Sequence, residues 1–390
     1  MSDPFIPLAV PHLGGNEWAY VKECLDTNWV SSVGSFVERF EAMVAAALEV
    51  PHAVATVNGT SALHIALKLA GVEAGDEVVV SDLTFIAPAN AVRYLGAWPT
   101  FVDAEPKHWQ MDPQKLSDFL RRDCAYAGGR LRNRHTGRRV AAIVPVHILG
   151  HPCDLDPILG EASRFGIPVV EDATESLGVR YRGRPAGSFG LLSCLSFNGN
   201  KIVTTGGGGM IVTGDAALAK KARYLTTQAK DDPVEFVHGE IGYNYRLTNV
   251  LAAIGVAQME QLDSHVADKR RTAEAYSRDL SGIPGLLCPE EPEGVFSTFW
   301  LYTILLNESE TGIGSRDLLQ HLEARGIQSR PLWQPMHLST AHKGAYATDC
   351  SVAERLNRQA LSLPCSVGLS EGDRKRVVRV VLAATTGSAA

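Results

Sequence analysis

The chain has 390 residues, of which 45% are hydrophobic and 21% are charged. These fractions are typical of a soluble globular protein and exclude disordered, collagen-like and fibrous chains. The 37 Lys and Arg residues against 43 Asp and Glu residues give a formal net charge of −6, which argues against general binding to nucleic acid or to an anionic membrane. At roughly 100–200 residues per domain, the length predicts two domains, or one large α/β domain with an appendage.

The cysteines indicate the compartment. The seven cysteines are scattered, and none forms a Cys-x-x-Cys pair. Together with the lack of a recognisable secretory signal at the N-terminus, this pattern predicts free thiols in a reducing, cytoplasmic compartment. No apolar run approaches the ~20 residues that a membrane-spanning helix needs, so no membrane association is expected.

Residues 53–213 alternate short apolar runs with helical stretches. The first two candidate strands are Ala53–Val57 and Glu77–Ser81, separated by a helix over Ser61–Ala70 that ends at Gly71. Further strands are predicted at Pro99–Asp103, Val140–Val146, Ile167–Asp172, Leu191–Ser196 and Gly209–Gly214, and further helices at Ala87–Leu95 and Cys153–Phe165. Because these strands are apolar throughout, we expect burial on both faces, and hence a mostly parallel sheet between layers of helices.

The pattern becomes helical over residues 215–280, and prolines then mark a junction near residue 285. A strand over Phe299–Leu306 and helices over Ser315–Arg325 and Arg374–Ala384 follow. The sequence therefore predicts a large α/β domain over residues 1–260 and a smaller α+β domain over residues 261–390.

Several polar residues fall where the predicted strands end, which is where ligands of parallel sheets bind. The Asn58-Gly59-Thr60-Ser61 segment joins a strand to a helix, and its hydroxyl and N–H groups suit a phosphate. An ordinary helix N-cap is the alternative interpretation. His147 and His151 have a zinc-like spacing, but Gly150 and Pro152 would break a helix there. We therefore predict no metal site and place His147 in a pocket at a strand end.

Two further patterns leave their meaning open. The run Gly206–Gly209 lacks the G-x-G-x-x-G frame, so a turn that needs positive φ is the preferred interpretation. A group of arginines between two elements forms either a solvated basic loop or an electrostatic contact for a nucleotide diphosphate. They are Arg130, Arg132, Arg134, Arg138 and Arg139.

Asp172 and Lys201 are the pair that points to a reaction. Asp172 ends an apolar strand, and Lys201 follows another one in the segment SFNGNK. A desolvated lysine suits Schiff-base chemistry, and a buried aspartate keeps a pyridine nitrogen protonated. Taken alone, Asp172 could be a helix cap and Lys201 could be a surface lysine. Together with Phe85 and the hydroxyls described above, they predict a site for pyridoxal 5′-phosphate.

The sequence resembles the DegT/DnrJ/StrS family of sugar-nucleotide aminotransferases, in its LegC/PglE-like branch. The resemblance covers nearly the whole chain and rests on motifs in the family's order: NGTSALHIAL, SDLTFIAPANAV, VPVHILGHPCDLD, VVEDATESLG, SFNGNK, TTGGGGMIVT, GYNYRLTN and LSLPCSVGLS. It implies the α/β, aspartate-aminotransferase-like fold of type I. That fold has a large domain with a mixed, mostly parallel sheet and a smaller C-terminal α+β domain.

The resemblance also implies roles for individual residues at the cofactor. Lys201 would bond to pyridoxal phosphate, Asp172 would pair with the pyridine nitrogen, and Phe85 would stack on the ring. The phosphate would be held by Thr60, the Gly59 and Ser61 backbone and Ser196, with Asn244 contributed by a neighbouring subunit of a homodimer. Glu175 occupies a position near the ring oxygen where the family often has Gln or His.

The expected substrates follow from the same resemblance. Trp29, Ser31, His147 and His337 are predicted to line the substrate pocket. The amino donor would be L-glutamate, and the acceptor the C4 ketone of a UDP- or GDP-linked 4-keto-6-deoxy-N-acetylhexosamine, on a route to bacillosamine- or legionaminate-like sugars. The alternatives are a different nucleotide ketosugar, either perosamine-type or a 3-keto sugar, and a non-catalytic nucleotide-sugar-binding homologue. A dehydratase of the family would carry histidine at Lys201.

Overall fold

The computed structural model describes residues 4–232 and 234–386. Its α-helices are α1 (Glu17–Asp26), α2 (Ser35–Ala47), α3 (Gly59–Leu69), α4 (Ala87–Tyr94), α5 (Pro113–Asp118), α6 (Leu155–Phe165), α7 (Ala216–Thr226), α8 (Asn249–Met259), α9 (Leu262–Leu280), α10 (Glu308–Thr311), α11 (Ser315–Glu323), α12 (Ser351–Gln359) and α13 (Glu371–Thr386). Its strands are β1 (His52–Thr56), β2 (Glu77–Ser81), β3 (Trp98–Val102), β4 (Cys124–Ala127), β5 (Arg130–Asn133), β6 (Val140–Val144), β7 (Val170–Asp172), β8 (Arg180–Tyr181), β9 (Arg184–Pro185), β10 (Leu192–Ser196), β11 (Gly209–Thr213), β12 (Lys230–Asp232), β13 (Val237–His238), β14 (Leu286–Leu287), β15 (Val295–Phe296), β16 (Tyr302–Leu306), β17 (Tyr346–Ala347) and β18 (Ala360–Leu363). A π-helical turn spans Phe119–Asp123, and 3-10 turns span Ile148–Gly150, Met336–Leu338 and Thr340–His342.

A mixed sheet forms the centre of the large domain. Its strand order is β17-β3-β2-β6 followed by β7-β10-β11-β1, and the two halves meet through parallel bridges from Ile143 to Val169 and from Val146 to Asp172. Strand β11 runs antiparallel to both of its neighbours, whereas the other pairings are parallel. The predicted mostly parallel sheet is therefore confirmed.

Helices cover both faces of this sheet. Strands β2 and β6 are buried at every position, as the apolar runs Val78–Val80 and Val140–Val144 predict. One face packs against α3 and α4 around Leu63 and Val92, and the other packs against α2 and α8 around Phe40 and Val256. This sandwich holds the carboxyl ends of the strands in fixed positions.

A second core lies in the C-terminal part of the chain. It joins α9, α11 and α13 to the sheet β14-β16-β18, with Tyr276, Tyr302 and Leu318 at its centre. Ile6 also packs into this core, and its N–H group donates to the Gly326 carbonyl at 2.9 Å. The division at residue 260 stays a prediction, but the N-terminal segment packs with the C-terminal core.

The arginine-rich segment is the β4–β5 hairpin and the loop that follows it. Arg139 forms an ion pair with Asp76, with Nε and Oδ1 2.9 Å apart, and Arg138 contacts Glu77 at 3.4 Å and lies 4.4 Å from the centre of the Trp98 ring. These guanidinium groups are thus held by their own chain. Among residues 4–232 and 234–386, no helix is long and apolar enough to cross a membrane.

Candidate active site

A cavity of about 390 Å³ opens beyond the carboxyl ends of the central strands. It brings together most of the residues predicted to hold the cofactor. Those that line it are Gly59, Thr60, Phe85, Asp172, Glu175, Ser196 and Lys201. Predicted residues that do not line it are Trp29, Ser31, Ser61, His147, Asn244 and His337.

The N-terminus of α3 forms one wall of the cavity. Asn58 caps this helix by accepting the Ser61 N–H group at 2.8 Å, so the Ser61 amide is already occupied, and Gly59 and Thr60 face the cavity instead. A Cβ atom on Gly59 would lie 3.0 Å from Cβ of Ser196 and 3.2 Å from Cγ2 of Thr174. The absence of a side chain at this position leaves the helix start open to an anion.

Gly209 is the member of the glycine run with a steric role at this wall. A Cβ atom there would lie 2.4 Å from the Asn58 carbonyl group and 2.7 Å from the Gly59 nitrogen. These atoms belong to the backbone and cannot move aside without displacing the start of α3. Gly206 has φ of +81°, as the prediction of a turn with positive φ requires.

Asp172 is a buried carboxylate at the end of β7. Its side chain is 2% exposed, and Oδ1 accepts the Thr174 N–H group at 3.1 Å. Burial raises the pKa of Asp172, and the Thr174 hydrogen bonds and the charge of Lys201 oppose that rise. A cation placed in the cavity beside Asp172 would lower the cost of keeping this group ionised.

Lys201 and Glu175 form an ion pair in the cavity. Lys201 Nζ lies 3.3 Å from Glu175 Oε1, and Glu175 Oε2 accepts the Leu149 N–H group at 2.8 Å. Burial raises the pKa of Glu175, whereas Lys201 and the Leu149 amide act in the opposite direction. Glu175 is thus held in one orientation by the backbone, and that orientation directs its other oxygen to the lysine.

His147 is not a cavity residue, which corrects the prediction that it lines the substrate pocket. It is fully buried, and Nε2 lies 3.0 Å from Glu171 Oε2, while Nδ1 accepts the Cys153 N–H group at 3.1 Å. Glu171 also accepts N–H groups of Gly187, Phe189 and Gly190. Both ring nitrogens of His147 therefore already have partners within the protein, Glu171 and the Cys153 N–H group.

Trp29, Ser31 and Asn244 lie on exposed segments away from the cavity. Trp29 is 55% exposed in the loop between α1 and α2, where the Asn249 side chain donates to the Trp29 carbonyl at 2.7 Å and the Asn249 N–H group to the Ser31 carbonyl at 2.6 Å. Asn244 is exposed and forms a backbone bridge with Thr227. Within one chain these three residues are ordered but do not reach the cavity.

His337 is held between two carboxylates instead of facing the cavity. Its Nδ1 lies 2.8 Å from Asp82 Oδ2, and its Nε2 lies 3.3 Å from Glu354 Oε1. The ligand atoms of Asp82, His337 and Cys350 lie within 4.8 Å of one another, an arrangement that the sequence does not predict. Both oxygens of Asp82 already accept hydrogen bonds from the His337 backbone and ring. The cluster is therefore satisfied by contacts within the protein.

Trp300 and Trp333 line the cavity and were not predicted to do so. Both come from beyond the predicted domain junction, and Lys201 Nζ lies 3.9 Å from the centre of the Trp300 ring. A tryptophan next to a strand is ordinarily interpreted as core, so the sequence carried no signal that these rings would face the lysine.

The residues of the cavity fit pyridoxal phosphate. Lys201 supplies an amine for a carbonyl group, Asp172 a buried carboxylate for a pyridine nitrogen, and the open start of α3 a place for a phosphate. Phe85 supplies an aromatic face, and it is 55% exposed although it lines the cavity.

The chain is similar over nearly its whole length to known enzymes. Residues 11–382 match the model of the DegT/DnrJ/EryC1/StrS aminotransferase family. The chain is 42% identical to a GDP-perosamine synthase of Caulobacter vibrioides over 97% of its own length and 98% of that protein's, and 37% identical to a GDP-perosamine synthase of Escherichia coli O157:H7 over 94% of each. The crystal structure of the aminotransferase TlmJ from Streptoalloteichus hindustanus superposes with a TM-score of 0.88 at 30% identity, covering 98% of this chain and 99% of that one.

These matches confirm the predicted family, the type I fold and the cofactor. The chain belongs to the DegT/DnrJ/EryC1/StrS aminotransferase family, and it is a pyridoxal phosphate-dependent aminotransferase.

Proposed function

We propose that the protein transfers an amino group from L-glutamate to the C4 ketone of a GDP-linked 4-keto-6-deoxyhexose, giving a product of the perosamine type. The observation that carries the proposal is the grouping of Lys201, Asp172 and Glu175 in one cavity at the start of α3. The choice of sugar is supported by the two GDP-perosamine synthases, which match this chain at 42% and 37% identity.

Lys201 is the proton carrier of the proposed reaction. Bound pyridoxal phosphate supplies a carbonyl group that exchanges amines and a ring that accepts electrons. Lys201 Nζ takes a proton from the donor's α-carbon and returns one to the cofactor side, which makes it both general base and general acid. The Glu175 carboxylate, 3.3 Å from Nζ, orients the amine and stabilises it while it is charged.

The walls of the cavity keep the reacting groups in one geometry. Asp172 would hold the pyridine nitrogen, and Gly59, Thr60 and Ser196 would hold the phosphate. Phe85 would cover one face of the ring. Such fixation accelerates a reaction by removing orientational freedom before the chemical step.

The substrate side of the site requires a second subunit in this proposal. Asn244, Trp29 and Ser31 are exposed in one chain. We propose that a homodimer places Asn244 of each chain at its partner's phosphate site, with Trp29 and Ser31 at the mouth of a shared cavity.

A second candidate acceptor is an N-acetylated ketosugar of the bacillosamine or legionaminate type. Its UDP carrier and its N-acetyl group are those in the name of a UDP-N-acetyl-3-dehydro-alpha-D-glucosamine 3-aminotransferase of Acidithiobacillus ferrooxidans, which is 34% identical over 90% of this chain but is named for a ketone at C3 and not at C4. Its 2-acetamido group and uridine carrier distinguish it from the first candidate in one assay.

The experiment is a donor-coupled assay with purified holoenzyme. The visible absorption of the bound cofactor should bleach on adding L-glutamate and return on adding the correct ketosugar. We expect GDP-4-keto-6-deoxyhexose to restore it and to yield a GDP-aminosugar by mass spectrometry. Recovery with only the UDP-linked N-acetylated ketosugar would replace the first acceptor with the second, and no bleaching with glutamate would exclude that donor.

A further inference from the structure

Trp300 lies against the amine of Lys201 on the side facing the C-terminal core. The lysine Nζ is 3.9 Å from the centre of the indole ring, a distance at which an ammonium group is attracted to the ring face. Glu175 Oε1 approaches the same nitrogen at 3.3 Å. The amine therefore has a defined position with a ring on one side and a carboxylate on another.

Both the indole ring and the backbone of Trp300 are fixed by contacts. Its Nε1–H group donates to the Asn200 carbonyl at 2.8 Å, so the ring is tied to the residue that precedes Lys201. Its backbone nitrogen is packed against Gly150, where a Cβ atom would come within 2.5 Å. Trp300 itself is only 3% exposed.

Lys269 of α9 secures the carbonyl of Trp300. Its Nζ donates to the Trp300 carbonyl and to the Cys365 carbonyl, each at 2.7 Å, and lies 3.8 Å from Cys365 Sγ. In the described part of the chain, the hydrogen-bond partners of this ammonium, which is 4% exposed, include no carboxylate. Burying an ammonium group with only carbonyl partners is unfavourable, so an ordinary surface role does not account for Lys269.

We propose that Trp300 is a positioning residue for Lys201, and that Lys269 is the buried anchor that keeps the indole in place. The inference rests on the proposed role of Lys201 as the proton carrier. Once the neutral amine of Lys201 has taken the proton of the donor's α-carbon, the resulting ammonium rests between the Trp300 ring and Glu175 until it gives that proton up. This position keeps the amine close to the reacting carbon.

The test measures Lys201 directly in the cofactor-free protein. An amine-acylating reagent labels neutral lysines, and peptide mass spectrometry reports the rate at Lys201. Trp300→Leu removes the ring and should speed labelling at pH 8 about five- to tenfold, the effect expected from a partly desolvated cation–π contact. Trp300→Phe keeps a ring face and should stay within about twofold of the wild type. Trp98→Leu is the matched control, since Trp98 contacts Arg93 and Arg138 away from the cavity.

Repeating the labelling at high pH separates an effect on the charge of Lys201 from an effect on the access of the reagent. Amines lose their protons as the pH rises, so a difference in labelling caused by charge should shrink toward high pH, whereas a difference caused by easier access should persist. Besides Trp300, the charged groups acting on this amine are Glu175 and Asp172, and neither is altered in the variants. A difference that persists at high pH would overturn the inference.

Turnover supplies the remaining readouts. We expect Trp300→Leu and Lys269→Met to lower kcat about tenfold while the KM for the nucleotide sugar changes less than about threefold. Equal labelling of Lys201 in folded wild-type and Trp300→Leu protein would overturn the inference. Failure of the wild type to aminate the GDP-ketosugar would instead overturn the proposed acceptor, because the labelling experiment needs neither cofactor nor sugar.

Discussion

The inner wall of the cavity and its predicted outer rim are built differently. The inner wall, formed by Thr60, Asp172 and Lys201, sits at strand ends and a helix start within one chain. The rim, formed by Trp29, Ser31 and Asn244, is exposed in that same chain and does not reach the cavity. The inner-wall residues that would hold the cofactor therefore come from one chain, whereas the proposed dimer is needed to bring Asn244 to the partner's phosphate site and Trp29 and Ser31 to the mouth of the cavity.

The largest effect should come from the inner wall at Lys201. Lys201→Ala should lower turnover at least about a thousandfold, since it removes the proton carrier while leaving the other walls in place. Steady-state assays with the GDP-ketosugar measure the loss, and Lys343→Ala, at an exposed lysine, is the control. Substantial turnover in Lys201→Ala would show that another group carries the proton.

Asp172 should be the next most sensitive position. Asp172→Asn keeps the shape and can still accept the Thr174 N–H group, but it removes the charge that would hold the pyridine nitrogen protonated. We expect turnover to fall about a hundredfold, as when one electrostatic contact to the reacting group is lost. If kcat were unchanged, this carboxylate would have no electronic role in the reaction.

The rim is tested by mixing subunits of two variants, one with reduced activity and one nearly inactive. Asn244→Ala should lose about tenfold in turnover through weaker phosphate binding. When Asn244→Ala and Lys201→Ala subunits are exchanged, half of the sites in mixed dimers are intact, so about a quarter of wild-type activity should return. Activity no higher than the average of the two separate variants would mean that the rim belongs to its own chain's site.

The scaffold under the inner wall should affect stability more than catalysis. Glu171→Gln should lower the free energy of unfolding by about 2–4 kcal/mol, because the buried carboxylate pairs with His147 and accepts several N–H groups. These contacts lower the pKa of Glu171 against the opposing effect of burial. The wild type therefore gains this stability above the ordinary glutamate pKa and loses it as the pH falls through the lowered value.

Denaturant titrations at pH 7 and at acid pH check this prediction. The difference in the free energy of unfolding between wild type and Glu171→Gln should become smaller toward acid pH. If this difference stayed constant with pH, the charge of Glu171 would contribute nothing to stability.

The smallest effect is expected at the helix start. Gly59→Ala would place a Cβ atom 3.0 Å from Ser196 and should weaken cofactor binding several-fold, at a cost of about 1 kcal/mol in stability. Gly199→Ala is the matched control, because among the described residues no atom beyond Gly199 and its two chain neighbours lies within 4 Å of the place that its Cβ atom would take. Cofactor titration followed by absorbance measures the affinity. Equal cofactor affinities in the wild type and in Gly59→Ala would mean that the start of α3 tolerates a side chain at this position.

Residues at the inner wall were predictable because strand ends and helix starts follow from local pattern. The continuous apolar strands placed Asp172 and Lys201 at one edge of the sheet, and the structure brings both to the cavity. His147 also follows a strand, but pattern alone does not tell which way a side chain turns. The Cys153 N–H group and Glu171 hold the His147 ring below β7.

The tryptophans of the cavity could not be predicted for a different reason. Trp300 and Trp333 come to the cavity only because the C-terminal part of the chain packs against the large domain, as Trp333 does against the core around Leu63 and Val92, a contact between segments far apart in sequence. The position of Trp300 is further set by Lys269, whose partners lie on other elements of that core. Such arrangements depend on tertiary packing, and no local pattern encodes them.

The antiparallel strand β11 has a consequence for how the molecule is assembled. Strand β1 pairs with β11 along its whole length, from His52 with Thr213 to Thr56 with Gly209, so residues 57–208 intervene between the two partners. Pairings across such long loops slow folding, because the closure entropy is lost before the contacts form. During synthesis on a ribosome, the start of α3 can therefore pack against β11 only after residue 213 has emerged. The proposed phosphate site at the start of α3 is thus among the parts of the fold that form late.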